Sequence, residues 1–101
     1  MAKDPAVLLY TSDFLIGVSD MPFIDRGYYI TLLCEQHQKG HLSVETICFL
    51  LGLGSVSEIP KVMKHFHIDD DGNYYNKRMD LEALKRSNYA ESRRENGTKG
   101  G

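Results

Sequence analysis

Cysteine and histidine side chains that could bind zinc occur close together in the middle of the sequence. Cys34 and His37 share one face of a predicted helix, and His41 and Cys48 follow on the next elements. Zinc sites use such ligands, usually four of them. The sequence has no Cys-x-x-Cys pair, however, and both cysteines lie inside apolar runs, where a thiol most often behaves as a small buried hydrophobe. We therefore expect two reduced thiols and no metal or other cofactor.

An acidic segment later in the chain has the spacing of a calcium loop in its first three ligands, Asp69, Asp71 and Asn73. Such a loop needs glycine at its sixth position and glutamate at its twelfth, but these positions are Tyr74 and Asp80. We interpret the segment as a hairpin turn. The sequence also lacks a Walker loop, a Rossmann glycine pattern, a nucleophile elbow and a His-Glu-x-x-His motif, so we predict that the protein is not an enzyme.

Basic side chains at three places could contact the phosphates of duplex DNA. They lie on a predicted third helix, on the second strand of the hairpin and in the C-terminal tail: Lys61, Lys64, Lys77, Arg78, Lys85, Arg86, Arg93 and Arg94. Acidic residues at positions 69–71 would repel phosphates at the tip of the hairpin. The balance of 12 Lys+Arg against 14 Asp+Glu gives no bulk attraction to nucleic acid. A DNA-reading helix, a basic tail and a solvated or protein-facing surface therefore remain alternatives.

Two tyrosines, Tyr74 and Tyr75, are adjacent on a predicted strand and must face opposite sides of it. We expect that one of them is exposed, or that it is covered by the last helix or by another subunit. Because exposed aromatic residues are favoured interface anchors, we predict that this pair contacts a partner or a second copy in a homodimer.

The elements that position these residues begin with residues 6–10, which we predict to be extended and to face the core. A helical turn capped by Ser12 or Asp13 and ended by Gly17 follows.

The first long helix is predicted over about residues 22–38, with Asp20 as its cap. Its apolar stripes, which include Ile24, Leu33 and Cys34, are wide enough to indicate a central, buried helix.

Two shorter helices are predicted next, after Gly40 and a short strand at residues 41–42. Ser43 should cap the first of them. The second should begin at Ser55, which forms a capping box with Glu58. Their apolar residues have helical core spacing, and a glycine-rich turn joins them, as in a helix-turn-helix.

A hairpin and a last helix complete the pattern. The Asp-Gly step at residues 71–72 lies between two strand-like runs, which favours a tight turn. Asp80 is expected to cap a helix whose Leu81 and Leu84 dock on the body. This order predicts a mainly α (α+β) fold, a winged helix-turn-helix with a small β-hairpin wing and an extra C-terminal helix.

The length fits one domain over residues 1–89. Residues 90–101 are expected to form a flexible basic tail or linker to a further C-terminal region, since their end has no apolar residue. No apolar run approaches the roughly 20 residues that span a bilayer, and the N-terminus does not look like a secretory signal. We therefore expect a cytoplasmic protein with no membrane partner.

Short strings along nearly the whole chain also match one family. The sequence resembles the YdaU-like N-terminal domain of phage and prophage replication-initiation proteins, a family of unknown function. The strings that carry the resemblance are Lys3-Asp4-Pro5-Ala6, Tyr10, Ser12-Asp13-Phe14-Leu15, Gly17, Gly27-Tyr28-Tyr29-Ile30, Leu32-Leu33-Cys34, Gly40-His41-Leu42, Phe66, Asp71-Gly72, Asn76-Lys77-Arg78, Ser92-Arg93-Arg94-Glu95-Asn96-Gly97 and Lys99-Gly100-Gly101.

This resemblance implies a winged-helix module in a protein that helps start DNA replication in a bacterial host. It also implies partners of the helicase or helicase-loader type. The sequence departs from the family pattern at His37, where a Trp is common, and before Gly27, where acidic residues are common. We expect a non-catalytic module that binds DNA or helps to assemble the initiation complex. The alternative is a protein-interaction or oligomerisation module that does not contact DNA.

Overall fold

The computed structural model describes residues 5–86, which are mostly helical with one small antiparallel sheet. An α+β fold is therefore confirmed at this level. The elements in chain order are α1 (Thr11–Gly17), α2 (Phe23–Lys39), α3 (Val44–Leu51), a 3-10 turn (Val56–Glu58), α4 (Pro60–Met63), β1 (His67–Ile68), β2 (Tyr74–Tyr75) and α5 over 77–86. The predicted linker at 90–101 lies outside the described residues.

Helix α2 is central, as the width of its apolar face predicted. Its buried residues are Tyr29, Leu32, Leu33, Gln36 and His37. Two residues of the predicted stripes, Ile24 and Cys34, are exposed instead. Cys34 lies about 60° around the helix beyond His37, the outermost buried residue on that side, and so falls outside the packed face.

The start of α2 differs from the prediction that Asp20 caps it. Pro22 occupies the N-cap position with an extended backbone and makes no side-chain cap hydrogen bond. Asp20 instead forms an ion pair with Lys64.

The N-terminal segment is not helical, as predicted, but it does not face the core. Val7 is half-buried, whereas Leu8 and Leu9 are 53% and 42% exposed. Helix α1 follows with Tyr10 at its N-cap and no side-chain cap, so the predicted cap at Ser12 or Asp13 is wrong. Both of those residues lie inside α1.

Helix α3 begins and ends as its sequence predicted. The Ser43 hydroxyl accepts a hydrogen bond from the Thr46 amide at 3.1 Å, which caps the first turn. Ile47 is fully buried. Gly52 ends the helix in the left-handed region (φ 69°), a conformation that costs glycine no Cβ clash.

The predicted third helix is interrupted. The capping box between Ser55 and Glu58 is present, but it opens only a 3-10 turn. Ile59 then leaves the helical conformation (φ −128°, ψ 61°), and Pro60 begins α4 at its first position. Proline disfavours the helical conformation at the residue before it, which explains the break. Ile59, at the break, and Val62, in α4, are both buried.

The hairpin has the predicted turn. Strands β1 and β2 pair His67 with Tyr75 and Ile68 with Tyr74, and Gly72 adopts a positive φ of 81° in the turn. The predicted strand at residues 41–42 is a single bridge, in which Leu42 and Tyr74 exchange two backbone hydrogen bonds of 2.7 and 2.9 Å. Leu42 thereby pairs with β2 on the side opposite β1.

Helix α5 begins earlier than predicted. The Asn76 side chain accepts a hydrogen bond from the Met79 amide at 2.9 Å, so Asn76 and not Asp80 caps this helix. The earlier start turns Met79 and Glu82 toward the interior. Leu81 and Leu84, which were expected to dock, are 49% and 57% exposed.

A buried polar contact joins α2 to the start of α5. The Gln36 carboxamide accepts from the Asn76 amide at 2.6 Å and donates to the Asn76 carbonyl at 3.1 Å. The Asn76 side chain donates to the His65 carbonyl at 3.0 Å. Gln36 and Asn76 are 3% and 8% exposed, so water cannot readily replace these bonds.

We expect Leu33→Ala and Ile47→Ala each to lower the free energy of unfolding by about 2–5 kcal/mol, because each leaves a cavity in the core. Urea denaturation followed by circular dichroism measures the loss. Phe49→Ala is the matched control on α3, since Phe49 is 87% exposed, and it should change stability by less than about 0.5 kcal/mol. A loss below about 1 kcal/mol at Ile47 would contradict this core.

Asn76→Ala should lower the free energy of unfolding by about 2–4 kcal/mol, because it removes the α5 cap and leaves the partly buried His65 carbonyl without its donor. The same denaturation experiment measures it. Asn73→Ala is the control, since the Asn73 side chain makes no hydrogen bond within residues 5–86. Equal stabilities of the two variants would show that the Asn76 side chain does not hold α5.

Candidate nucleic-acid and protein interfaces

The surface at α4 contains the first two candidate DNA contacts, Lys61 and Lys64, both exposed. Lys64 is committed to an ion pair with Asp20, at 2.5 Å between Nζ and Oδ2. The hydrogen bond from Lys64 holds the pKa of Asp20 below its usual value. Lys61 forms no ion pair within the described part of the chain. A four-residue helix with one unpaired lysine offers little attraction to phosphate.

The start of α5 contains the next two candidates, Lys77 and Arg78. The Arg78 guanidinium lies 2.8 Å from Asp13 Oδ2 on α1 and 4.6 Å from the ring centroid of Tyr10. It therefore ties α5 to the N-terminal elements. Lys77 is exposed and forms no ion pair among residues 5–86.

The remaining candidates lie toward the C-terminus. Lys85 pairs with Glu82 at 3.3 Å, and Arg86 is exposed at the last described position. Arg93 and Arg94 lie outside the described residues. Lys77, Arg78 and Lys85 are brought together, since all three line one shallow cleft beside Leu81. Three of the six described candidates, Lys64, Arg78 and Lys85, already have carboxylate partners.

The hairpin tip is acidic, as predicted. Asp69 organises the turn, because its Oδ1 accepts from the amides of Asp71 and Asn73, each at 2.9 Å. Asp70 and Asp71 are exposed. In a winged helix this tip would lie beside the phosphate backbone, where exposed carboxylates are repelled.

His41 forms a charged contact that sequence reasoning missed. Its Nδ1 lies 2.6 Å from Asp69 Oδ2, and its Nε2 lies 2.7 Å from Asp80 Oδ2. Both ring nitrogens face carboxylate oxygens, and a histidine that donates from both nitrogens is the protonated imidazolium, so this arrangement favours the charged form of His41. Its ring also stacks on Tyr75, with centroids 4.4 Å apart. We call these four residues, His41, Asp69, Tyr75 and Asp80, the histidine clasp.

The histidine clasp connects the hairpin with α5. The hydrogen bond to Asp69 contributes most to a raised pKa of His41, opposed by partial burial, and the bond to Asp80 adds to it. The same contact lowers the pKa of Asp69. The partners are 28 and 39 positions away along the chain, so no local motif identifies them. Sequence reasoning had weighed His41 only as a zinc ligand.

The metal-binding candidates do not converge. Within residues 5–86, no three His, Cys, Asp or Glu side chains are arranged to hold a metal ion. Cys34 is exposed, contrary to the expected burial, and Cys48 is half-buried. In the histidine clasp the two carboxylates contact opposite nitrogens of one ring, so they share no common ion position with it.

The two tyrosines predicted as interface anchors are half-buried and have contacts within the protein. Tyr74 packs against the core cluster and pairs with Leu42. Tyr75 lies against His41 and, at 5.6 Å between centroids, His67. Their role in an interface stays a prediction.

A larger apolar surface lies elsewhere. The described residues include eleven buried hydrophobic core residues and, equally, eleven large hydrophobic residues that are exposed. The exposed set falls mainly at the N-terminal segment, the junction of α1 and α2, and α5: Leu8, Leu9, Tyr10, Leu15, Ile16, Phe23, Ile24, Phe49, Ile68, Leu81 and Leu84. Sequence reasoning had placed residues 6–10, Ile24, Leu81 and Leu84 in the core.

Two clefts flank the N-terminal segment. One, of about 240 Å³, lies between Leu8, Phe14, Tyr29 and His65. The other, of about 320 Å³, lies between the same segment and the side of α2 that carries Ile30. The segment is therefore incompletely packed against the helices beneath it.

Comparison with protein-family models, with curated proteins and with solved structures found no match to this chain. Across residues 5–86, none of the helices combines the length and the apolar character that a bilayer crossing requires.

The histidine clasp gives a pH prediction. A raised pKa of His41 means that its stabilisation is complete below the unfolded value of about 6.5 and is lost as pH rises through the folded pKa. The denaturation midpoint of the wild type should therefore decrease, relative to that of His41→Gln, as the pH rises above about 6.5. His67→Gln, which leaves the clasp carboxylates alone, serves as the control. A difference between wild type and His41→Gln that stays constant as the pH rises would refute the charged clasp.

Proposed function

We propose that this domain is a non-catalytic winged-helix module of a phage or prophage replication-initiation protein, and that it acts by assembling proteins rather than by holding DNA. The replication setting rests on the sequence resemblance. The partners it implies are proteins of the helicase or helicase-loader type.

The winged-helix fold is supported by the order of the sheet. Leu42 bridges to Tyr74, and Tyr74 pairs in turn with Ile68. The second strand of the hairpin therefore lies in the middle, between the first strand and Leu42. The bridge precedes α3 and α4 in the chain, and the hairpin follows them. Helix, bridge, two helices and hairpin is the order expected of a winged helix-turn-helix.

The assembly role is carried by the eleven large hydrophobic residues that are exposed in the described part of the chain. Scattered apolar residues are normal on a protein surface, but contiguous groups mark interaction sites. Along the sequence the exposed residues come in runs, at 8–10, 15–16 and 23–24, and Tyr10 and Leu81 line one common cleft. Each run gives a partner apolar surface to bury.

DNA binding is the second candidate, and two observations favour it. Lys61 on α4 and Lys77 at the start of α5 are exposed and have no ion-pair partner among residues 5–86. A winged helix can bring such residues to phosphates. Against this, the exposed carboxylates of Asp70 and Asp71 lie at the hairpin tip.

The two candidates are separated by fluorescence anisotropy of labelled double- and single-stranded DNA at about 50 mM and about 200 mM salt. The assembly role predicts no salt-sensitive binding. The mass of the protein in solution is measured in parallel, alone and mixed with a bacterial replicative helicase, and should show a complex in at least one case.

Binding that weakens steeply between the two salts would favour DNA, because phosphate contacts release counterions. Lys61→Glu should then abolish it, whereas Lys39→Glu, the same charge change at the end of α2, should not. A protein that stays monomeric, forms no complex with the helicase and binds no DNA would contradict both candidates.

A further inference from the structure

Residues 7–9 of the N-terminal segment have backbone groups that form no hydrogen bond within residues 5–86. Tyr10 uses only its carbonyl, which accepts from the Phe14 amide at 3.0 Å. Three consecutive residues outside any helix, with free amides and carbonyls, resemble an unpaired edge strand, which is a ready template for another strand.

The side chains of this segment suit a buried strand. Leu8 is 53% exposed and Leu9 42%, and the ring of Tyr10 is held in place beneath the guanidinium of Arg78. Leucine and tyrosine next to β-branched valine form a short apolar run without a charge. Leu81 of α5 shares a cleft with Tyr10 and is itself half-exposed, so it extends the same apolar surface.

We propose that residues 7–9 pair with the same residues of a second copy of this chain as two antiparallel strands, with Leu8 opposite Leu8 at the twofold axis. In this register Val7 of each copy lies opposite Leu9 of the other. The three residues with free backbone groups are then centred on the axis. This inference rests on the proposed assembly role and names one surface for it.

A second copy fits this edge because the edge is complementary to itself. Residues 5–12 contain no charged side chain, so an antiparallel pair brings no like charges together. Twofold symmetry is the commonest arrangement of homodimers and requires such a self-complementary surface. Residues 7–9 lie outside any helix and lead into Tyr10, whose backbone is extended, and their backbone groups can be paired by another strand but not by a helix face.

The surface is small, which sets the expected affinity. Leu8, Leu9, Tyr10, Leu81 and Leu84 are each about half-exposed. Together they offer an area below the roughly 800 Å² per partner of a standard interface. We therefore expect a dimer with a dissociation constant in the micromolar range or weaker.

Sedimentation velocity over a wide range of concentrations tests the dimer. Wild type should pass from monomer to dimer, and Leu8→Asp should weaken the dimer about tenfold or more, since two carboxylates would then meet at the axis. Leu15→Asp is the matched control on α1, where Leu15 is 62% exposed, and it should dimerise like wild type. Circular dichroism verifies that each variant is folded.

Cysteine cross-linking tests the register independently and does not depend on the folding of Leu8→Asp. In a background of Cys34→Ser with Cys48→Ala, Leu8→Cys should form an intermolecular disulfide on mild oxidation. Leu9→Cys and Leu15→Cys should do so much more slowly, because neither lies opposite itself.

A wild-type chain that stays monomeric up to about 1 mM, well above micromolar affinity, would overturn the proposal. So would equal effects of Leu8→Asp and Leu15→Asp, or equal cross-linking of the three cysteine variants. If the protein alone is monomeric but Leu8→Asp abolishes a complex with a helicase, the strand pairs with another protein. In that case the second copy is wrong while the assembly role stands.

Discussion

The pair of hydrogen bonds between the Gln36 side chain and the Asn76 backbone is the contact on which most of the structure depends. It joins the last turn of the central helix to the point where the chain leaves the hairpin. The Asn76 side chain then holds the His65 carbonyl and the first turn of α5. One buried amide pair therefore fixes α2, the end of α4, the hairpin and α5 relative to each other. Because both residues are buried, breaking any one bond leaves a polar group without water, which is costly.

The outer elements are held by contacts that are weaker and more exposed. The histidine clasp fastens the hairpin to α5 through charges that water partly screens. Arg78 fastens α1 and Tyr10 to α5 in the same way. The N-terminal segment is held by fewer contacts, since Val7 is its main residue that packs on the core cluster. Stability thus decreases from the Gln36 contact outward, and the elements with the most exposed apolar surface are those least constrained by the core.

Local signals in the sequence predicted part of the local structure. The Ser43 cap, the capping box at Ser55 and the Asp-Gly turn all depend on residues within four positions of each other, and all three are confirmed. The other predicted caps are wrong, and Asp13, Asp20 and Asp80 contact distant residues instead. Asn76 caps α5 because Gln36, forty positions away, fixes its backbone, and no pattern near Asp80 reveals this. The same limit applies to the histidine clasp. Apolar periodicity identified faces, but it could not tell whether a neighbour covers them, as Leu81 and Leu84 demonstrate.

Charged and apolar side chains differ in how far they are already engaged within the described residues, and this difference bears on which partner the protein could bind. Lys64, Arg78 and Lys85 each form an ion pair with a carboxylate, which partly neutralises their charge. Such pairs need not be strong to matter, because each one reduces the field that a phosphate would meet. Apolar side chains show the opposite distribution, since many have no partner among the described residues. Lys61 and Lys77 form no ion pair among residues 5–86, so the proposed assembly role rests on the exposed apolar side chains, which gain from burial against another protein. Contact area, rather than charge, is therefore the physical basis of the recognition that we propose.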